Sequence, residues 1–342
     1  MRTACWSWLF VAAATIAGAA EPPTPKSEAP NLELPRFELF DGDRVVFLGN
    51  TLIEREQKYG YWELMLTMAW PERNVTFRNL GWSGDTVWGE SRAGFGTQAD
   101  GFKALVNQVN AAKPTVIFIG YGNVEAFDGE AGLPKFIDGY NKLLDELEKT
   151  KARIIVLGPT VQIEQLSPSP TCAKYNVDVE RYSTTMREIA KRRKHVFIDL
   201  TSASKSFNAV DRPYTNADNL SVDGMSWGPL AYLALGLQLN GEFDKRFMRV
   251  DHGFAKPQSN VDVAKENDNL MQQIIKKNEL FFHRWRPQNE TYLFGFRKHE
   301  QGKNAEEVFA FDPLIEAEEK KIAELRVRLA AEMKKASDAD AK

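Results

Sequence analysis

Thr51 is the residue whose position first indicates chemistry, within the stretch VVFLGNTLIE that covers residues 45–54. An apolar run there ends in a tight turn at Gly49, and the hydroxyl residue stands at the exit of that turn. A hydroxyl held between a strand and a helix is a common setting for a nucleophile. Thr51 is therefore the first candidate nucleophile, although its methyl group crowds attack and its hydroxyl needs an adjacent base.

Two more polar, glycine-rich turns follow later apolar runs. The stretch NLGWSGDT occupies residues 79–86, and GYGNVE occupies residues 120–125. If these runs are parallel strands, their carboxyl ends meet at one edge of a sheet, which is where such sheets bind ligands. We therefore expect the three turns to converge on one site.

The elements that must position these turns are short strands alternating with segments of helical length. Near-continuous apolar strands separated by helices predict a parallel sheet covered on both faces. The fold class is thus α/β, with three layers (α/β/α) around a five-stranded, mostly parallel sheet of the flavodoxin-like kind. The predicted strands are Arg44–Gly49, Val75–Gly81, Thr115–Gly122, Arg153–Pro159 and His195–Leu200, and the predicted helices are Leu52–Trp70, Ala99–Lys113, Ala131–Lys149 and Tyr175–Lys194.

Composition and motifs argue against several classes of function. The formal net charge is −3 over 342 residues, which gives no global case for binding nucleic acid or an anionic membrane. Neither a GxGxxG nor a GxxxxGK[ST] pattern follows any of the predicted strands, so nucleotide binding has little support.

The amino-terminal residues, MRTACWSWLFVAAATIAGAAEPP, have the features of an export signal. Arg2 precedes an apolar run that is too short to span a bilayer, and small residues offer a cleavage site near position 20. We predict a signal peptide over residues 1–20 and a Pro-rich linker over residues 21–35, hence an exported protein that is periplasmic or extracellular. A buried amino-terminal helix is the alternative. No later stretch has the length and hydrophobicity of a transmembrane helix.

The pattern changes in the carboxyl-terminal part, which divides the chain into a predicted α/β domain over residues 36–245 and a helical extension over residues 246–342. After a segment of helical spacing comes a stretch dense in aromatic residues and arginine, beginning FFHRWRPQNETYLFGF. It could form a sugar-stacking or nucleic-acid surface. We favour a lid packed on the domain, with its aromatic side chains buried: Trp285, Tyr292, Phe294 and Phe296.

The last segment predicts a charged amphipathic helix from Asp312 to about Ala336, with Asp312 and Pro313 as N-cap and first helical residue. This helix could lie on the body of the protein or self-associate as a short coiled coil. Its apolar stripe consists of Ile315, Ile322, Leu325, Leu329 and Met333.

The three turns resemble those of the SGNH, or GDSL, hydrolase superfamily of serine esterases and acylhydrolases. The resemblance covers roughly residues 44–239, and its best motif is NLGWSGDT, an Asn followed by a Ser-Gly-Asp-Thr turn. In the family, the backbone N–H of the glycine in this turn, here Gly84, helps to form the oxyanion hole. Glycine suits the role because it allows close approach of the backbone, and a preorganised N–H stabilises developing negative charge.

The other blocks of the resemblance are altered. Thr51 stands where the family's Gly-Asp-Ser block has its nucleophilic serine, in the sequence Gly-Asn-Thr. The family's third block supplies an Asn side chain to the oxyanion, but Val124 occupies that place and Asn123 stands one residue early. Because a one-residue displacement at a strand end turns a side chain to the other face, we expect Asn123 to point away.

The general base is absent from its expected place. The family ends in an Asp-x-x-His block, in which the Asp orients the His, and this chain has Asp223 followed by Ser226 in the His position. Serine cannot accept a proton near neutral pH, and loss of a triad member costs orders of magnitude in rate. Glu125 would serve as a base only if burial raised its pKa substantially. A relocated histidine is the other alternative, from among His195, His252, His283 and His299.

Metal and cofactor chemistry have little support in the sequence. There is no His pair at i, i+4 spacing and no Cys cluster. Asp85, Glu90 and Asp128 could gather a hard cation, but such residues are more often solvated or capping. We predict neither a metal nor a cofactor.

The resemblance and its alterations together imply an exported protein descended from an esterase, with little or no classical serine-esterase activity. Its cleft is expected to bind a small-molecule or glycan ester, or a plain glycan, and we expect neither a nucleic-acid partner nor a transmembrane segment. One alternative is an active ester hydrolase that uses Thr51 with a relocated base. Another is an envelope scaffold that acts through its carboxyl-terminal helix.

Overall fold

A computed structural model describes residues 37–164, 166, 170–209, 220–221, 223–243, 261–287, 289–300 and 304–340. Within these residues, five strands form one sheet in the order β2-β1-β3-β4-β5, and every neighbouring pair is parallel. The predicted strands are confirmed to within a few residues at each end. Their bounds are β1 Arg44–Gly49, β2 Thr76–Gly81, β3 Val116–Gly120, β4 Arg153–Leu157 and β5 Val196–Ile198.

Helices cover both faces of the sheet, which confirms the three-layer α/β/α class. One apolar cluster joins the sheet to α3, α4 and α5, and a second joins the opposite face to α1, α2 and α7. Strands buried on both sides explain the near-continuous apolar runs in the sequence. The α-helices are α1 Thr51–Tyr59, α2 Tyr61–Ala69, α3 Gln98–Ala112, α4 Gly129–Glu148, α5 Pro170–Arg193, α6 Leu200–Lys205, α7 Pro229–Phe243, α8 Val261–Trp285, α9 Glu290–Leu293 and α10 Phe311–Asp340.

The single helix predicted over residues 52–70 is in fact two helices. Gly60 separates them in the left-handed conformation, with φ of 68°, and its N–H donates to the carbonyl of Glu56. Glycine reaches this conformation without the penalty that a Cβ atom would add, so it ends α1 and redirects the chain. The amphipathic pattern runs through the break, which is why the sequence predicted one element.

The extension is confirmed as helical, and it packs on the α/β body. Helices α8 and α10 form a third apolar cluster with α2. Lys277 of α8 and Glu63 of α2 form an ion pair of 2.7 Å in which both side chains are almost fully buried. Removing one partner of such a pair would leave an uncompensated charge in the interior. The ion pair therefore stabilises the packing of the extension against the body.

Helix α10 begins at Phe311, directly after a 3₁₀ helix at Asn304–Ala310, so the predicted cap at Asp312 is wrong. Asp312 lies inside the first turn, where its carboxylate accepts from Nε of Arg284 at 2.8 Å. The apolar stripe of α10 is buried against the same chain at Ile315, Ile322, Leu325 and Leu329, with Met333 packed beside it. The stripe is therefore already covered and offers little surface for a coiled coil.

The prediction that the aromatic stretch is buried is wrong for two of its four residues. Phe294 is 49% exposed and Phe296 is 69% exposed, whereas Trp285 and Tyr292 are half-buried. Residues 294–300 form surface turns, so their side chains have no neighbouring layer to pack against. Phe296 instead contacts the exposed ring of Phe95 edge-on, with 5.7 Å between the ring centroids.

Some predictions concern residues outside the described ranges. The predicted signal peptide and linker, residues 1–35, and His252 lie there. Among the helices that the structure does describe, none has the length and apolar character needed to cross a membrane.

Candidate active site

A cleft lies at the carboxyl ends of β1, β3 and β4, where the sequence predicted a site. Its volume is about 230 Å³. Four predicted site residues line it together: Thr51, Asn123, Asp223 and Ser226. The other described lining residues are Asn50, Leu52, Arg55, Val124, Phe127, Thr160, Val161, Gln162, Tyr175, Met225, Trp227 and Tyr232.

Thr51 is the first residue of α1. The side-chain oxygen of Asn50 accepts from the N–H of Leu52 at 3.2 Å, which caps the helix and fixes the turn after β1. The N–H of Gly84 donates to Oγ1 of Thr51 at 3.1 Å. Gly84 has a φ of 72°, which explains why glycine is needed in this turn. The predicted nucleophile position and the predicted oxyanion N–H are therefore in direct contact.

The turn that carries Gly84 is held from one side by Glu54. The Glu54 carboxylate accepts from the N–H of Ser83 at 2.8 Å and from the Ser83 hydroxyl at 2.6 Å. Arg286, from the extension, donates to the same carboxylate and lies over the ring of Trp82 at 4.1 Å. The extension thus contacts the outer side of the turn, and none of its described residues lines the cleft.

From the other side, the turn is anchored by a buried ionic network. Asp85 is fully buried and accepts from Nε of Arg92 at 2.8 Å and from the Tyr121 hydroxyl at 3.0 Å. Arg92 in turn donates to the carbonyl of Leu80 at 2.8 Å. Burial and the neighbouring Asp85 carboxylate raise the pKa of Tyr121 well above its ordinary value, so its hydroxyl stays a donor.

Glu125 joins this turn to the end of β3. Its two carboxylate oxygens accept from the N–H groups of Val87 and Gly122, each at 2.8 Å. Burial raises the pKa of Glu125 to about 7, against the opposing effect of these hydrogen bonds. This raised pKa is what a carboxylate needs in order to replace the missing histidine as a base. Glu125 is nevertheless in the wrong place for that role, because it is 2% exposed and does not line the cleft.

Asn123 lies in the cleft lining, so the expectation that it points away is wrong. The alternation of a strand does not continue past Gly122, which has a φ of 101°, and the chain enters a 3₁₀ turn at Glu125–Asp128. The amide of Asn123 is nevertheless engaged: its Nδ2 donates to the carbonyl of Thr160 at 2.8 Å, and its Oδ1 accepts from the N–H of Thr160 at 3.3 Å. Val124, in the family's Asn position, lines the cleft as well.

The Asp223 carboxylate accepts hydrogen bonds from its own segment, which is itself joined to the loop after β4 where the N–H of Ile163 donates to the carbonyl of Gly224 at 2.8 Å. Oδ1 of Asp223 accepts from the N–H groups of Met225 at 2.9 Å and Ser226 at 2.6 Å, and Oδ2 accepts from the Ser226 hydroxyl at 3.0 Å. Partial burial acts to raise the pKa of Asp223, but these hydrogen bonds outweigh it and lower the pKa below its ordinary value. Asp223 therefore fixes the side chain of Ser226.

No described histidine lines the cleft. Nε2 of His195 contacts the Glu148 carboxylate at 2.9 Å, and His195 precedes β5, at the end of the strand away from the site. His283 and His299 are exposed on the extension. Among the described residues, no three His, Cys, Asp or Glu side chains gather in a way that could hold a metal ion. Asp85, which the sequence analysis considered as a ligand for a hard cation, forms an ion pair with Arg92 instead.

The sequence analysis missed several lining residues. Arg55 has a signal in the sequence, since it stands four residues after Thr51 and so falls on the same face of α1. The rings of Phe127 and Tyr175 contact each other at a tilt, with 4.4 Å between their centroids, and no local pattern reveals this contact between two elements. The hydroxyl of Tyr232 donates to the carbonyl of Leu52 at 2.8 Å and fixes α7 beside the turn after β1.

Comparisons with known proteins agree with this architecture. The family model of the GDSL-like Lipase/Acylhydrolase family matches residues 47–227, more than half of the chain. The structure of a gut microbial diltiazem-metabolizing enzyme is similar with a TM-score of 0.55 and 12% identity, covering 85% of this chain and 97% of that one. A catalytic mutant of an acetylxylan esterase from Geobacillus stearothermophilus gives a TM-score of 0.47 and 18% identity, with 60% and 96% covered.

A lipase/acylhydrolase from Enterococcus faecalis gives a TM-score of 0.44 and 19% identity, covering 60% of this chain and 96% of that one. No curated protein matches the chain. The chain belongs to the GDSL-like lipase/acylhydrolase family, which confirms the resemblance stated from its turns.

Proposed function

We propose that this is an exported GDSL-family protein that binds an ester or glycan in the cleft and has little or no hydrolytic activity by the family's usual mechanism. The observation that carries the proposal is the contact of Ser226 with Asp223. The Asp223 carboxylate accepts from the Ser226 hydroxyl at 3.0 Å, in the place where a general base would have to be held. Without a base, neither Thr51 nor a water molecule is activated for attack.

The lining of the cleft supports a binding role. It combines exposed apolar groups, such as Phe127 and Met225, with hydroxyl and amide groups, such as Thr160 and Gln162. A concave site with an apolar surface and a few polar groups is typical of small-ligand binding. Esters and sugars both present such a mixture of groups.

Restoring the missing groups tests why activity is low. We expect Ser226→His, combined with Thr51→Ser and Val124→Asn, to gain hydrolysis of 4-nitrophenyl acetate by at least about 10²-fold, the scale of general-base catalysis. The same variant with Ala at position 51 is the matched control and should lose the gain. A restored variant that is folded and no faster than wild type would contradict the assignment of these three positions.

The second candidate is an active ester hydrolase that uses Thr51 with a base outside the family pattern. The contact between the Gly84 N–H and Thr51 Oγ1 favours it, because it retains a donor beside the hydroxyl. His252 remains a candidate base, since it lies outside the described residues. Replacing each of the four histidines singly by Ala tests this: a fall of 10²-fold or more in ester turnover for one of them supports the candidate, and unchanged turnover in all four rejects a histidine base.

The scaffold hypothesis has less support. Its motivation was the apolar stripe of α10, and that stripe packs within the chain.

Export is part of the proposal as well, and it predicts that mature protein recovered outside the cytoplasm begins near residue 21. Intact residues 1–20 on the mature protein would reject the signal peptide.

A further inference from the structure

Arg55 is the positively charged residue in the described lining of the cleft. It follows Thr51 by four residues in α1, so both side chains lie on one face of the helix, and both line the cleft. Its side chain is half-buried, and among the described residues it forms neither an ion pair nor a hydrogen bond. A guanidinium carries five N–H donors in a planar fork that fits a carboxylate with two parallel hydrogen bonds.

The other charged residue in the described lining does not satisfy Arg55. Asp223 is an acid in the same cleft, but its two oxygens are taken up by three donors of its own segment. Neither of its oxygens lies within ion-pair distance of Arg55. The arginine therefore keeps its donors for a ligand in the cleft.

Another part of the lining fits a sugar ring. Phe127 is 55% exposed and is supported by Tyr175, which gives an apolar face at the rim of the cleft. Gln162 and Thr160 provide amide and hydroxyl groups beside it. An apolar ring face with adjacent hydrogen-bonding groups matches the two surfaces that a pyranose presents, and Arg55 adds a site for a carboxylate.

We propose that the cleft takes a ligand that carries a carboxylate, of the class of uronic acids and their O-acylated derivatives, and that Arg55 binds the carboxylate as a specificity-determining residue. This inference rests on the proposed function, because it names the ligand class of the same cleft. It adds a selective contact that neither Thr51 nor Gly84 supplies.

A matched pair of ligands tests the inference: 4-nitrophenyl β-D-glucuronide and 4-nitrophenyl β-D-glucoside, which differ only in the carboxylate. Isothermal titration calorimetry with wild-type protein is expected to show at least 10-fold tighter binding of the glucuronide, about 1.4 kcal/mol. Arg55→Gln should bind both ligands equally. Arg55→Lys should keep only part of the preference, because it retains the charge and loses the fork.

The control variant is Lys58→Gln, which removes one positive charge from the exposed side of the same helix. It should keep the preference, and thermal unfolding should show that all three variants are folded. If wild type binds the glucuronide and the glucoside with equal affinity, or if the preference survives Arg55→Gln, this inference is overturned and the proposed function stands. If wild type binds acetylated or neutral glycans but not the glucuronide, the inference also fails and the proposed function stands. If it binds none of these ligands, both are rejected.

Discussion

The turn around Gly84 and the segment from Asp223 to Ser226 are built differently, although the first donates to Thr51 of the cleft and the second lines the cleft itself. The turn is anchored in the interior through the fully buried Asp85 and through Glu125, and it contacts the extension through Glu54. In the other segment, Asp223 is exposed, and among the described residues its carboxylate bonds to Met225 and Ser226. The carboxylates of the first region are thus part of the buried interior, whereas the Asp223 carboxylate makes local contacts at the surface.

This difference bears on why the Gly84 turn matches the family motif whereas position 226 does not. A change in the Gly84 turn would disturb buried charges, so it would cost stability as well as function. In the proposed function, serine at position 226 replaces the base, and its satisfied hydrogen bond to Asp223 would cost the fold little. The same proposal then explains the intact Gly84 turn by its structural role alone.

The largest expected effect is the contrast between Asp85→Ala and Asp223→Ala. Asp85→Ala leaves Arg92 buried without its partner, so we expect the free energy of unfolding to fall by about 3–5 kcal/mol. Asp223→Ala removes hydrogen bonds at the surface and should cost about 1 kcal/mol. Urea denaturation of the two variants measures the difference. Equal losses would show that the two regions are not built as differently as their contacts indicate.

A second contrast uses pH, through Glu125. Its pKa is about 7 in the folded protein and about 4.5 when unfolded, so its contribution to stability is full below pH 4.5 and is lost as pH rises through 7. Glu125→Gln cannot titrate. The difference in unfolding free energy between wild type and variant should therefore shift in favour of the variant by about 3 kcal/mol between pH 4.5 and pH 8.

The control for this titration is Glu188→Gln, which replaces an exposed glutamate on α5. Its difference from wild type should stay nearly constant over the same pH range. If the unfolding free energies of Glu125→Gln and wild type changed in parallel between pH 4.5 and pH 8, that result would contradict the raised pKa of Glu125.

The smallest expected effect concerns the contact between the extension and the turn. Arg286→Gln removes the guanidinium that binds Glu54 and covers Trp82. We expect a loss of about 1 kcal/mol, together with faster hydrogen exchange at the N–H of Ser83. Arg284→Gln is the matched control, because Arg284 pairs with Asp312 inside the extension. Equal exchange at Ser83 in both variants would show that the extension does not stabilise the turn.

The sequence predicted much of this architecture because the strands are buried on both faces and therefore read as unbroken apolar runs, as in VVFLG and VIFIG. The family motif also assigned Thr51, Asp223 and Ser226 to one site, and all three line the cleft. The sequence analysis missed the break at Gly60 because one apolar pattern runs through both helices. It misplaced Asn123 because a positive φ at Gly122 cannot be read from a strand pattern.

The central claim is the loss of the family's base, and the most direct measurement compares wild type with Thr51→Ala. Both proteins, without residues 1–20, should be assayed for kcat/KM on 4-nitrophenyl acetate and on acetylated sugars, after a thermal unfolding curve has shown that both are folded. We expect equal and near-background rates. Robust turnover by wild type that disappears in Thr51→Ala would contradict the account and identify a threonine-dependent esterase.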